Sequence, residues 1–254
     1  MKTLALLLLL VPLARPVDVD TRLADAQRLA ARQESSAAID AYRALLTEGV
    51  DGAGLRYNLG TLLLESGDVG GAVRELLAAR RFAPLDDDIE HNLSVAFDAR
   101  ADRLAGVGTA NPVWFLGERT PPLAARLAPA LPAALAGLAL ALSAFTRRRV
   151  FAFVAVPLGF VTVLGAGLWL CRLDFEGTRE AVVLVEQTSA RKEPDAAAGE
   201  SFVAHAGLSG VVIDDQGGWV RLRMDNGLEA WLERSALGFV GGDPATAAAT
   251  SGQP

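Results

Sequence analysis

Three patterns of apolar and polar positions follow one another along the chain. From residue 18 to 105 apolar residues recur at helical spacing, and from 123 to 171 they run almost unbroken. From Glu180 to Val240 they gather in short β-branched runs parted by turn residues. The unbroken runs, Leu123 to Phe145 and Val150 to Leu170, are each roughly 30 Å long as helices, the thickness of a bilayer core. They predict transmembrane helices over 123–145 and 150–171. Pro129, Pro132 and Pro157 are tolerated there because neighbouring helices satisfy the freed carbonyls, and Arg126 can snorkel toward headgroups. A soluble hairpin of buried helices is the alternative, against which neither run carries a polar stripe.

The last pattern predicts five strands: Ala181–Val185, Phe202–His205, Val211–Asp214, Trp219–Met224 and Leu228–Leu232. Gly217-Gly218 and Asp225-Asn226-Gly227 supply turns. Five strands within 178–241 suggest a small all-β barrel. Residues 242–254, rich in Ala, Thr, Gly and Pro, read as a disordered tail. Residues 106–122, with Pro112, Trp114, Phe115, Pro121 and Pro122, read as a linker whose aromatic pair sits at a membrane interface.

Charge sharpens the division. The 254 residues are 51% hydrophobic with a net charge of -6. Residues 18–105 hold sixteen acids against ten bases and residues 174–254 thirteen against six, whereas residues 106–173 hold Glu118 against six arginines. Acidic flanks without a basic stripe exclude nucleic acid as a partner. A single cysteine, Cys171, excludes an intramolecular disulfide and a cysteine-rich metal cage.

Residues 1–16 combine Lys2 with the apolar run Leu4 to Leu13, a pattern of export. Cleavage after Ala14 and retention as an N-terminal anchor both stay open. The 146–149 link between the spans, Thr146-Arg147-Arg148-Arg149, predicts a cytoplasmic basic loop by the positive-inside rule. Both flanking domains then face outward, and Lys2 gives the same orientation for residues 18–120.

Shifting the chain by 34 residues brings Tyr57-Asn58-Leu59-Gly60 onto His91-Asn92-Leu93-Ser94 and Leu63 onto Phe97. The reverse shift brings Ala72, Leu76 and Ala79 onto Ala38, Tyr42 and Leu45. A 34-residue period is that of the tetratricopeptide repeat. Residues 53–86 resemble one complete unit, with Leu59-Gly60, Leu63, Gly67, Ala72, Leu76, Ala79 and Pro84 at signature spacings. Residues 19–52 resemble a degenerate unit, and 87–104 supply a first helix only. Two and a half units are fewer than a solenoid needs, so support from the membrane segments, a second copy or a partner is expected. The resemblance implies a peptide-binding groove lined by Tyr57, Asn58, Thr61, His91 and Asn92. Two helical hairpins without a ligand are the alternative.

The order of a first strand, a loop with Pro194, Phe202 to Gly207, Gly218-Trp219-Val220 and Gly227-x-x-Ala230-Trp231 resembles a bacterial SH3-like domain. Ala230 stands where that family usually has Gly. The resemblance puts Trp219 and Trp231 on a ligand face, Trp219 being the better candidate; packing is the competing role of both. Such modules bind peptides or cell-wall material.

No HExxH, Walker loop, nucleophile elbow or paired-cysteine motif occurs, and Asp86-Asp87-Asp88 lacks the glycine and distal glutamate of a calcium loop. These features predict no catalysis, cofactor or metal. The full order resembles the BatE proteins of the Bacteroides aerotolerance group: a multidomain membrane protein with a tetratricopeptide domain, two transmembrane helices and an SH3-like barrel. That resemblance implies a bacterial inner-membrane scaffold with both main domains outside, working beside a MoxR-type AAA+ ATPase and von Willebrand factor A-domain membrane proteins. Peptidoglycan binding or sensing through the β-domain is the alternative function.

Overall fold

A computed structural model of the chain describes residues 17–102, 112–146 and 149–242, apart from the side chains of Val17, Pro112, Trp114 and Ala152. The export segment, Arg147, Arg148 and the tail from 243 lie outside the described residues. The chain divides into two compact units, residues 1–51 and 52–254. In the first, α1 (Val17–Ala31) and α2 (Ser35–Thr47) form a hairpin that buries Ala26, Ala38, Tyr42 and Leu45.

The second unit opens with α3 (Ala53–Glu65), α4 (Val69–Phe82) and α5 (Asp87–Asp98). Sequence sets each boundary. Gly67 takes the left-handed conformation (φ +85°) that turns α3 into α4, and the Asp68 carboxylate caps α4 by accepting from Gly71 N–H at 2.8 Å. Pro84 follows the end of α4, and Asp86 caps α5 by accepting from the Asp88 and Ile89 N–H groups. α3 and α4 cross closely: a Cβ at Gly60 would lie 2.8 Å from Leu76 Cγ, and Ala72 is buried.

Next come α6 (Pro112–Arg119), α7 (Pro122–Thr146) and α8 (Val150–Gly177). The segment read as a linker thus contains a helix, whose eight residues were too few for the apolar period to register. α7 and α8 are both long and apolar enough to cross a membrane. Their outer surfaces expose Leu123, Leu131, Phe153, Val156 and Phe160, while Gly165 meets the Ala128 carbonyl and Pro129 nitrogen where the two helices touch. α7 continues through Pro129 and Pro132, and α8 through Pro157.

The β-domain holds seven antiparallel strands: β1 (Glu180–Val183), β2 (Gln187–Arg191), β3 (Glu200–His205), β4 (Ser209–Gln216), β5 (Trp219–Arg223), β6 (Glu229–Glu233) and β7 (Leu237–Phe239), ordered β3-β2-β6-β5-β4-β1-β7. Five were expected. β2 lies in the presumed loop before Phe202 because Gln-Thr-Ser-Ala-Arg has one apolar residue, and β7 is only three residues long. Gly217 and Gly218, both at positive φ, form the two-residue hairpin joining β4 to β5, with Gln216 paired to Trp219. Ala181, Ala190, Ala204, Val220, Leu222 and Leu232 belong to the core.

Strand β1 is buried on both faces. Ala181 and Val183 point into the β-core, while Val182 joins Val240 against Val73, Leu76 and Leu77 of α4. The unbroken run Ala181–Val185 therefore reflects a strand pressed between sheet and helix. A Cβ at Gly70 would lie 2.6 Å from the Val183 carbonyl oxygen, so α4 docks there through bare backbone. The sheet thus supports the short helical array, a source that the expectation of membrane segments, a second copy or a partner did not include.

Candidate functional surfaces

The five residues of the predicted groove are treated unequally. Thr61 Oγ1 donates to the Tyr57 carbonyl at 2.9 Å and accepts from Asn92 Nδ2 at 2.8 Å, so α3 and α5 are tied through Asn92. The repeat makes Asn58 and Asn92 equivalent; the fold brings Asn92 into this inter-helix bond and leaves Asn58 half-buried on α3. Tyr57 packs against the cluster of Leu76, Leu77 and Leu93 beside Phe97, which commits its ring to the core. His91 is exposed. Asn58 and His91 are thus the members of this set with the most freedom to meet a partner.

The α3–α4 hairpin also holds an ion cluster that sequence reading missed. Glu75 of α4 is 1% exposed and receives Arg56 Nη1 of α3 at 2.6 Å and Arg74 Nε at 2.8 Å. Burying Arg56 and Glu75 is costly, and mutual neutralisation, with half-buried Arg74 as a second donor, offsets it. A 19-residue separation across a helical hairpin has no local signature; the only trace is charge at positions 56 and 75 within apolar helical faces.

On the β-domain, core residues Val220, Leu222, Ala230 and Leu232 alternate with the outward set Trp219, Arg221, Arg223, Glu229, Trp231 and Glu233. Trp219 is half-buried beside Glu233, whereas Trp231 is 7% exposed, paired to Arg221 on one side and Arg191 on the other. Arg221 and Arg223 both bond the Glu229 carboxylate, at 2.6 and 2.7 Å. Trp219 therefore offers more surface than Trp231, and the cations beside it are partly neutralised.

A third assembly sits where the helical, apolar and β segments meet. Arg172, near the end of α8, is 3% exposed. Its Nη2 donates to the Arg81 carbonyl at 2.6 Å, its Nη1 to the Gly117 and Thr120 carbonyls, and its Nε to Glu176. One guanidinium thereby satisfies carbonyls left over at the ends of α4 and α6. Arg81 donates to the Thr178 carbonyl and to Glu180 Oε2 at 2.9 Å, and both arginines lie over the Phe175 ring. Arg80 pairs with Glu118 at 2.8 Å; burial pushes that carboxyl above its ordinary value, against the pull of Arg80.

A further clasp joins the helical end to β3. The Asp102 carboxylate accepts from the His205 backbone N–H at 2.7 Å and lies 2.8 Å from His205 Nδ1. On the far edge, Asp215 is held below the usual carboxylate range, first by its bonds from Arg234 and then by Arg179. Among the described residues no group of three or more His, Cys, Asp or Glu is placed to hold a metal ion.

No protein-family profile, curated protein or solved structure matches the chain. Its described surfaces are polar edges anchored on buried ion pairs.

Proposed function

We propose that this protein is a membrane-anchored interaction scaffold, with α3–α5 acting as a short tetratricopeptide-type binding module and the seven-stranded domain as an SH3-like module. α7 and α8 are its transmembrane anchor, with the Arg147–Arg149 link on the cytoplasmic side of a bacterial inner membrane and both modules outside. The observation that carries this reading is the Arg81–Arg172 cluster. It fastens the end of α4, the end of α6 and the start of the β-domain to one apolar hairpin, as a scaffold that must present two surfaces in fixed relation requires. Asn58 and His91 would contact an extended peptide, the amide both donating to and accepting from its backbone. Following the BatE resemblance, the partners are von Willebrand factor A-domain membrane proteins served by a MoxR-type ATPase system, in envelope stress tolerance.

The test is a co-purification of the full chain, in detergent, with a von Willebrand factor A-domain membrane protein from the same cells. Capture that falls in the Asn58→Ala/His91→Ala double variant supports the reading. Equal capture with the double variant, or none with the unaltered chain, overturns it.

One observation favours a second reading, peptidoglycan binding: half-buried Trp219 stands on the outward sheet face with Arg221 and Arg223 in alternation. Full-length protein in nanodiscs that pellets with peptidoglycan, and stops doing so on Trp219→Ala, would move the function to the β-domain.

A further inference from the structure

The loop between α4 and α5 breaks the usual rule for a polar connection. Phe82 is 45% exposed and Leu85 64% exposed, on either side of Ala83-Pro84. Phe82 ends α4 and Leu85 lies on the loop after it, and among the described residues none covers their outer surfaces, so a non-aqueous neighbour would stabilise them.

The position of the loop identifies that neighbour. Arg172 Nη2 donates to the carbonyl of Arg81, the residue before Phe82, and the same guanidinium reaches the Thr120 carbonyl, two residues before α7 begins. Arg172 lies 22 residues beyond Val150, so at about 1.5 Å per residue it stands where α8 leaves a hydrocarbon core roughly 30 Å thick. Leu170 and Leu173 on either side of it still face outward. Phe82 is thus held at the depth where the apolar hairpin emerges. At the same level α6 exposes Val113, Phe115 and Leu116, and Arg119, whose guanidinium overlies Phe115, reaches toward Glu90 of α5. The loop, α6 and Leu123, the first exposed residue of α7, each present apolar side chains near this level, with the Arg119–Glu90 pair between α6 and α5.

We propose that the α4–α5 loop rests in the headgroup layer of the bilayer that α7 and α8 cross, with Phe82 and Leu85 inserted beside α6, so that α3–α5 is seated on lipid at its lower edge. This rests on the transmembrane assignment of α7 and α8. Asp86, Asp87 and Asp88, all exposed, follow Leu85 immediately, so insertion stops at the loop tip and is driven by apolar burial rather than by attraction to anionic lipid. The seating limits which partners reach α5: an extended peptide can lie across Asn58 and His91, whereas a bulky domain cannot approach from the membrane side.

The experiment uses the full chain carrying Cys171→Ser, with one new cysteine labelled by an environment-sensitive fluorophore. The protein is held in nanodiscs of phosphatidylethanolamine and phosphatidylglycerol containing lipids spin-labelled near the headgroup or deep in the acyl chain. Leu85→Cys and Phe115→Cys are the test sites, Leu131→Cys reports the middle of α7, and Asp195→Cys in the β2–β3 loop is the aqueous reference. Leu85 and Phe115 labels should emit to the blue of the Asp195 label, be quenched by shallow spin labels and lose quenching by aqueous iodide, with no strengthening as phosphatidylglycerol is raised. If the Leu131 label is quenched by deep spin labels while the Leu85 label is as open to iodide as Asp195, the loop stands in water and the proposal is wrong, though the transmembrane reading stands. A Leu131 label untouched by lipid quenchers overturns the transmembrane reading itself. A Leu85 label shielded from both iodide and lipid is covered by protein, which also overturns the proposal.

Discussion

The α3–α4 and α7–α8 pairs use the same device and face opposite surroundings. In each, a glycine lets one helix lie against the other: Gly60 against Leu76, and Gly165 against Ala128 and Pro129. In α3–α4 the large apolar residues beyond that contact, Leu59, Leu63 and Leu77, are buried, while α7–α8 leaves most of its leucines, valines and phenylalanines outside. Small residues decide how closely helices approach whatever surrounds them. What the other faces carry reports the solvent.

The sharpest way to break this comparison is charge. Glu75→Ala leaves Arg56 buried without its acid, and a loss of about 3–5 kcal/mol is expected. The apparent melting temperature in detergent should fall well below that of the parent, with α7–α8 still embedded on protease treatment of proteoliposomes.

Next in size is Arg172→Leu, which removes the guanidinium and strands carbonyls of α4 and α6. A loss of about 1.5–3 kcal/mol is expected from the charged hydrogen bonds. Spin-label distances between α4 and α8 should broaden, whereas the same pair of labels on α3 and α4 should not.

Matched Gly60→Val and Gly165→Val variants sharpen the comparison directly. Overpacking at Gly60 should cost about 1–3 kcal/mol in thermal unfolding, and Gly165→Val should instead separate α7 from α8, read as a loss of cross-linking between cysteines placed on them.

The smallest effect is the Asp215 bridge to Arg234 and Arg179. Its lowered carboxyl contributes stability above the ordinary carboxylate range and loses it as pH falls through its lowered value. Asp215→Asn should remove up to about 1 kcal/mol at neutral pH and flatten the acid limb of the stability profile.

Much of the architecture was legible because it is local. Gly67-Asp68 and Pro84 mark the α3–α4 hairpin, Gly217-Gly218 the β4–β5 turn, and the apolar runs α7 and α8. β2 escaped because one alanine in five residues gives no alternation, and α6 because eight residues cover barely two turns. Of the candidate groove, the repeat pointed to Asn58 and Asn92 as a matched pair. Their different fates depend on Thr61, whose hydroxyl accepts from Asn92.

What the sequence determined by itself is whatever a short window of residues can enforce: where helices begin, where hairpins turn, and which stretches lipid would accept. Only the tertiary structure decided that β1 lies against α4, that Glu75 is closed in by Arg56 and Arg74, and that Arg172 joins α4, α6 and α8. A hydrogen bond between groups 91 residues apart leaves no mark on the periodicity of either segment. It forms only when packing has brought both ends together, and burial then makes each partner indispensable to the other.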